Sequence, residues 1–145
     1  MNRYDYMIAG RWRNHENIRP LLEGLRKAGK KVYCFLDNAY DGNGVFIDKT
    51  GNGVEDFMTK LETTEDWQTN STFRKIYEND MNGLQESKEF ILVFPAGLAA
   101  HMELGVAFGG GKKCYGIGEP EKYETLYLMF DKIFPDSKSF LEYAK

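Results

Sequence analysis

The sequence predicts an α/β sandwich of three layers, with a central, mostly parallel sheet between helices. Three segments, residues 6–9, 32–36 and 90–94, are apolar on successive positions, which is typical of strands covered on both faces. Helical patterns lie between these segments, and strands that alternate with helices imply a parallel sheet. The length of 145 residues fits a single domain over residues 1–145.

The first half of the chain predicts one helix and one long loop. An apolar repeat at three- and four-residue spacing follows the first strand, and Gly29 is well placed to end this helix. Residues 37–52 are dense in Asp, Asn and Gly, so we expect a long loop after the second strand. Loops of this length in compact domains are usually functional or disordered. The repeat consists of Ile18, Leu21, Leu22 and Leu25.

The second half predicts two longer helices, a weaker strand at residues 114–117 and a short helix at residues 137–143. The third helix follows residues 90–94, and its spacing directs Leu98, Met102 and Val106 toward the sheet. Residues 126–134 fit either a helix or a strand. The second helix, over residues 65–86, has an inner stripe of Phe73, Ile76, Tyr77, Met81 and Leu84.

Composition excludes several classes of partner. The net charge is −3 and no block of five or more basic residues occurs, which argues against binding to nucleic acid or to an anionic membrane. The longest apolar run, residues 90–94, is far shorter than the ~18 residues of a membrane helix, and the charged N-terminus does not fit a signal peptide. Cys34 and Cys114 fit buried thiols in a reducing cytosol, so we expect a cytoplasmic protein. With only two histidines to join them, we expect no metal site.

Ligands of an open parallel sheet bind beyond the carboxyl ends of its strands. Here that rule selects residues 10–15, 37–52 and 95–103. Glu103 falls in the second turn of the third helix between Ala99 and Ala107, whose small side chains leave space beside a carboxylate. We expect it to point toward the crevice; the alternative is an exposed helix glutamate.

Asp80 lies on the packed side of the second predicted helix, four residues from Ile76 and four from Leu84. A carboxylate there is costly unless it is hydrogen-bonded or serves a site, so the alternative to a site residue is a structural carboxylate. Two carboxylates that converge from different helices would suit glycosidic chemistry, one as nucleophile and one in proton transfer.

The turn after the first strand contains Gly10, Arg11, Trp12 and Arg13. Backbone amides and two arginines there could hold a phosphate, and Trp12 could stack on a base or sugar. The alternative is a pair of solvated arginines beside a packed tryptophan. The turn has no GxGxxG pattern and residues 109–112 end a helix, so neither a dinucleotide nor a P-loop is predicted, and we expect no cofactor. His101 projects from a different helix face than Glu103, and a partly exposed histidine is the simpler interpretation.

Together these segments resemble the nucleoside 2-deoxyribosyltransferase family and its relatives that hydrolyse nucleoside 5′-monophosphates. The similarity spans roughly residues 4–118. The motifs occur in chain order: AGRW at residues 9–12, LDNAY at 36–40, NDMNGL at 79–84, and MELGVA at 102–107 before a Gly-Lys turn.

The resemblance implies a five-stranded parallel sheet of flavodoxin-like or Rossmann-like form and a nucleoside or nucleotide substrate. Glu103 corresponds to the nucleophile that forms a glycosyl-enzyme intermediate, and Asp80 to the carboxylate that helps protonate the base. The resemblance also implies a homodimer or higher homo-oligomer. The residues that we expect to bind substrate are Gly10, Arg11, Trp12, Arg13, Asp37, Asn38, Asn82, Gly97 and His101.

Three departures from the family pattern bear on the substrate. Transferases of the family generally have an amide side chain where this chain has Ala39, a carboxylate where it has Gly97, and often an aromatic where it has Arg13. Loss of base contacts with gain of an arginine favours a nucleoside monophosphate. An unusual base, or a binding protein without turnover, fits the same changes.

Overall fold

A computed structural model describes residues 2–38 and 53–145. Within them, five strands form one parallel sheet in the order β2-β1-β3-β4-β5. The strands are β1 (Tyr4–Ala9), β2 (Val32–Cys34), β3 (Ser87–Val93), β4 (Lys113–Ile117) and β5 (Lys132–Phe134). The α-helices are α1 (His15–Lys27), α2 (Phe35–Asn38), α3 (Gly53–Glu62), α4 (Ser71–Gln85), α5 (Leu98–Gly109) and α6 (Ser137–Tyr143). Two 3₁₀ turns cover Trp12–Asn14 and Thr125–Met129.

The contacts of the chain divide it into two compact units. The sheet unit consists of Met1–Cys34 and Gly83–Lys145 and contains all five strands, and the helical unit consists of Phe35–Asn82. The expectation of one domain over residues 1–145 stays a prediction.

Helices cover both faces of the sheet. Tyr115 on β4 contacts Phe140 on α6, with ring centroids 5.4 Å apart. The next residue, Gly116, faces the opposite side, where an added Cβ would lie 3.2 Å from the ring of Phe94. The Phe94 ring in turn contacts His101 on α5. The predicted flavodoxin-like α/β sandwich with its five-stranded parallel sheet is therefore confirmed.

The strands are buried because they are apolar on successive residues. The last four residues of β1, all of β2 and the last four of β3 are buried, as expected for strands covered on both faces. Gly29 has φ +85°, a conformation that favours glycine, and follows the last turn of α1 as predicted. Cys34 and Cys114 are buried thiols, which confirms their predicted packing role.

Several predicted boundaries were wrong. The second strand ends at Cys34, because Phe35 and Leu36 begin the short helix α2, which also takes Asp37 and Asn38 out of the predicted loop. Residues 39–52 of that loop, including Ala39, lie outside the described residues. The helix α3 was not predicted. Residues 126–134 combine both alternatives, a 3₁₀ turn and the strand β5.

The second predicted helix begins six residues later than expected, at Ser71. The side-chain oxygen of Asn70 accepts hydrogen bonds from the backbone N–H groups of Thr72 and Phe73, at 3.0 and 3.1 Å. Asn70 is thus the N-cap that fixes the start of α4. Within the predicted inner stripe, Leu84 is buried but Tyr77 is exposed, so the stripe is narrower than predicted.

The buried face of α5 also differs from the prediction. Leu98, Met102 and Val106 were expected to pack on the sheet, but all three are exposed. The buried residues are Ala100, Leu104 and Ala107, which form a stripe of helical spacing on another side of the helix. Nearly every position of α5 is apolar, so periodicity did not determine which side faces the core.

Candidate active site

The loops that follow β1 and β3 meet at the carboxyl edge of the sheet. These two strands are neighbours, whereas β2 lies on the other side of β1, so the strand order reverses here. Such a switch point is where open α/β sheets bind ligands. The side-chain amide of Asn14 donates a hydrogen bond to the carbonyl oxygen of Phe94 at 3.3 Å and joins the two loops.

The turn after β1 contains four predicted site residues. Gly10 lies close to α1, because an added Cβ would be 2.9 Å from Ile18 Cδ1 and the Ile18 side chain would have to shift. Arg11 is exposed and its side chain lies against Gly97, with Nε 3.6 Å from the position of an added Cβ. Trp12 is only 6% exposed and packs near His15, while Arg13 is exposed. The turn therefore has two exposed arginines beside a packed tryptophan, which is the arrangement given above as the alternative to a phosphate site.

Gly97 is the N-cap of α5. Its carbonyl oxygen is 2.7 Å from Nδ1 of His101. Because a carbonyl only accepts, Nδ1 donates this bond, and in the tautomer with the proton on Nδ1 the other nitrogen, Nε2, accepts. The donor to Nε2 is the hydroxyl of Tyr127, 2.9 Å away. Burial raises the pKa of Tyr127, and Glu124 and Glu121 add to the effect, so the hydroxyl keeps its proton.

Glu103 is half-buried and lies on the other flank of α5 from His101. The two residues are two positions apart, which is about 200° around a helix. α5 packs on β3 and β4, and the His101 flank faces the 3₁₀ turn that contains Tyr127 and precedes β5. Glu103 therefore lies on the flank of α5 opposite the Tyr127 turn. That its side chain points into the crevice stays a prediction.

The remaining predicted residues belong to the helical unit. Asp80 on α4 and Asp37 on α2 are half-buried, and Asn82 is exposed. Asn38 ends α2, but its side chain lies outside the described part of the chain. Because Asp80 and Glu103 belong to different units, their convergence stays a prediction.

The carboxyl edge of the sheet also contains a cavity that was not predicted. Its volume is about 440 Å³, within the range of small-molecule pockets. The loops that were expected to form the site follow β1, β2 and β3, and the connection from β4 to β5 was not among them. That connection supplies more than half of the residues that line the cavity. The lining residues are Phe94, Pro95, Ala96, His101, Glu121, Lys122, Tyr123, Glu124 and Tyr127.

In residues 2–38 and 53–145, no three side chains of His, Cys, Asp or Glu are grouped so that they could hold a metal ion. None of the helices in these ranges combines the length and apolar character that crossing a membrane requires.

No family model matches the sequence, and no curated protein matches it significantly. Solved structures share the fold. The 2-deoxyribosyltransferase of Bacillus psychrosaccharolyticus has a TM-score of 0.60 and 14% identity over 95% of this chain and 90% of its own. The CMP N-glycosidase of Clostridium botulinum has a TM-score of 0.51 and 18% identity over 96% of both chains.

A receptor domain is similar to the same degree. The TIR domain of a Toll-related receptor from Hydra magnipapillata has a TM-score of 0.55 and 18% identity over 90% of this chain and 82% of its own. At such identities the likeness shows the fold alone, since one fold hosts many activities.

Proposed function

We propose that this protein cleaves the N-glycosidic bond of a nucleoside or deoxynucleoside and transfers the sugar to another base. The observation that carries the proposal is the position of Glu103. Glu103 is half-buried on the flank of α5 opposite His101, and we infer from helix geometry that this flank faces the switch point between β1 and β3. The fold is also that of a 2-deoxyribosyltransferase and of a CMP N-glycosidase, two enzymes that act on this bond.

In the proposed reaction Glu103 is the nucleophile. Its carboxylate attacks C1′ of the sugar while the bond from C1′ to the base nitrogen breaks, and the bonding electron pair leaves with the base. Asp80 assists protonation of the departing base. A second base then attacks C1′ and releases Glu103. Transfer requires that this base outcompetes water, which a closed pocket favours.

The other predicted residues have binding roles in this proposal. The exposed side chain of Arg11 lies beside the N-cap of α5, and Gly10 and Gly97 keep the two loops close. Trp12 supports the turn from inside, because it is buried. Asp37, Asn38, Asn82, Arg13 and His101 are further proposed substrate-binding residues.

Hydrolysis of a nucleoside 5′-monophosphate is the second candidate. Arg11 and Arg13 are both exposed at the start of the helical segment after β1, where a phosphate would gain from their charge and from backbone N–H groups. The glycosidase of Clostridium botulinum acts on CMP and shares the fold over 96% of both chains. In this reaction water takes the place of the acceptor base.

A nucleotide-binding module without turnover is the third candidate. A receptor domain has the same fold, so the fold does not by itself require catalysis. Such a module would be stabilised by its ligand without forming a product. We also propose a cytoplasmic location, because Cys34 and Cys114 are buried thiols that suit a reducing compartment.

The deciding experiment is incubation with deoxynucleosides, nucleosides and their 5′-monophosphates, with and without a second base, followed by mass spectrometry. A new nucleoside that appears only with the second base indicates transfer, and free base with free sugar or sugar phosphate indicates hydrolysis. We expect Glu103→Gln to reduce the rate at least about 1,000-fold, because an amide is a poor nucleophile.

The matched control is Glu142→Gln, an exposed glutamate on α6, which should retain full activity. Full activity in the Glu103 variant would contradict the nucleophile assignment. Ligand-dependent thermal stabilisation without any product from the wild-type protein would favour the binding module instead.

A further inference from the structure

The unpredicted cavity at the carboxyl edge of the sheet lies between the loop after β3 and the connection from β4 to β5, and we call it the edge cavity. All of its lining residues belong to the sheet unit. His101 and Tyr127 are among them, so the edge cavity lies on the flank of α5 opposite Glu103. The reaction proposed for Glu103 therefore does not account for this space.

The inner wall of the edge cavity consists of three rings that hold one another in place. Phe94 is buried, and its ring centroid lies 5.4 Å from that of Tyr127 and 6.2 Å from that of His101. The rings of His101 and Tyr127 are 5.7 Å apart and are joined by the hydrogen bond described above. Because each ring contacts the other two, the wall needs no rearrangement to offer an aromatic surface to an apolar group.

The polar groups beside this wall are mostly hydrogen-bond acceptors. Tyr127 donates its only hydroxyl proton to Nε2 of His101, so towards a ligand its oxygen can only accept. Nδ1 of His101 is already bonded to the carbonyl oxygen of Gly97. The ionised carboxylates of Glu121 and Glu124 only accept. A ligand that donates hydrogen bonds therefore fits the edge cavity better than one that accepts them.

The rim of the edge cavity has an excess of negative charge. Glu121 and Glu124 are exposed, and Lys122 is the cation that opposes them in the lining. Besides burial, the charges of Glu124 and Glu121 raise the pKa of Tyr127, so their negative potential reaches the inner wall. The side chain of Glu124 makes no capping hydrogen bond to the 3₁₀ turn that it precedes. Carboxylates next to aromatic rings favour a cation, which both groups attract.

We propose that the edge cavity binds a small organic cation that consists of a primary ammonium on an aromatic body. The body would lie on the rings of Phe94 and Tyr127, and the ammonium would donate hydrogen bonds to Glu121 and Glu124. Of the lining residues, His101 alone is also among the proposed substrate-binding residues. The ligand is not a reactant in the proposed glycosidic chemistry, because the edge cavity and Glu103 lie on opposite flanks of α5.

Three probes with the same phenethyl group and different charges test this proposal: phenethylammonium, 2-phenylethanol and 3-phenylpropanoate. The full chain is titrated with each probe, and the backbone amide chemical shifts are followed by NMR. We expect phenethylammonium to bind with a dissociation constant of about 1 mM or lower, the range for so small a ligand. It should bind at least about ten-fold more tightly than 2-phenylethanol, which lacks the charge, and 3-phenylpropanoate should not bind. The shift changes should concentrate at residues 94–96 and 121–127.

Two substitutions at the rim should change the affinity in opposite directions. Glu124→Gln should weaken phenethylammonium about five-fold or more and leave 2-phenylethanol within about two-fold, because it removes an attracting charge and keeps the shape. Lys122→Gln should strengthen phenethylammonium about two-fold or more, because it removes the opposing charge. Both side chains are exposed, so the circular dichroism of the variants should match that of the wild-type protein.

The matched control is Glu142→Gln, which changes the net charge by the same amount as Glu124→Gln. Glu142 is exposed on α6, and α6 covers the face of the sheet opposite Phe94. This variant should bind phenethylammonium within about two-fold of the wild-type affinity, because its charge lies far from the edge cavity.

Three results would overturn the proposal. The first is an absence of shift changes at residues 121–127 with phenethylammonium up to about 10 mM. The second is equal affinity for phenethylammonium and 2-phenylethanol. The third is an equal loss of affinity in Glu124→Gln and Glu142→Gln, which would indicate a general effect of net charge. None of these measurements uses activity, so their failure would leave the proposed glycosidic reaction untouched, and an inactive protein would leave the edge cavity proposal untouched.

Discussion

Tyr127 and His101 form the best-defined polar pair at the carboxyl edge of the sheet. Tyr127 donates to Nε2 of His101, whose Nδ1 donates to Gly97 at the N-terminus of α5. The pair thereby links the turn before β5 to the helix that carries Glu103. Its rings also contact each other and Phe94.

We expect Tyr127→Phe to lower the free energy of unfolding by about 1 kcal/mol, because it removes one hydrogen bond and keeps the ring. Tyr123→Phe is the matched control, since Tyr123 lines the same cavity but is 84% exposed, and its effect should stay within about 0.5 kcal/mol. Urea denaturation followed by circular dichroism measures both. Equal effects of the two substitutions would contradict the role of the Tyr127 hydroxyl.

The residues of α5 show where sequence patterns stop being informative. The positions of Leu98, Met102 and Val106 predicted a buried stripe, yet Ala100, Leu104 and Ala107 are buried instead. Two apolar stripes of helical spacing are present on one helix, and only the packing against β3 and β4 selects between them. Glu103 remains half-buried at the flank of the stripe that was selected.

At the scale of the element, α4 meets β2 through a glycine. An added Cβ at Gly83 would lie 2.5 Å from the ring of Tyr33, which is itself buried. Helix propensity alone would favour alanine at this position. The clash with the Tyr33 ring should outweigh the gain in helix propensity, because a buried ring has little room to move.

We therefore expect Gly83→Ala to lower the free energy of unfolding by about 1–3 kcal/mol through overpacking. Gly109→Ala at the end of α5 meets no atom within 4 Å and should change stability by less than about 0.5 kcal/mol. Thermal and urea unfolding of both variants checks the difference. An increase in the free energy of unfolding of Gly83→Ala would contradict this expectation, because it would show that the Tyr33 ring moves to make room.

The bounds of two predicted elements differ from those of the structure. A helix was expected from residue 65, but α4 begins after the N-cap Asn70, a start signal that is present in the sequence. β5 is three residues long and only Phe134 is buried in it, so its strand character comes from pairing with β4.

At the scale of the whole molecule, burial of the Cys114 thiol links stability to alkaline pH. Burial raises its pKa to about 11, against the opposing effect of Lys112. The unfolded chain loses this proton near the ordinary thiol pKa of 9.0, while the folded chain retains it up to about pH 11. The unfolded state then binds fewer protons, so stability falls as the pH rises through this window.

We expect this thiol to account for roughly 1–2 kcal/mol of lost stability between pH 9 and pH 11. Cys114→Ala should reduce the slope of the free energy of unfolding against pH in this window, whatever its effect at neutral pH. Tyr6 and Tyr115, whose pKa values burial also raises, leave part of the slope in place. Urea denaturation at intervals between pH 8 and pH 11 provides the measurement, and parallel curves for the two proteins would contradict the expectation.

The amino-acid sequence alone determined the α/β class, the parallel strands and the helix ends marked by glycine, because these depend on short-range periodicity and local backbone preference. It also placed Glu103 on the helix after β3. Only the tertiary structure decided which side of α5 is buried, that Trp12 packs inside, and that Tyr127 holds His101. Each of these depends on contacts between residues far apart in the chain, which a local pattern does not contain.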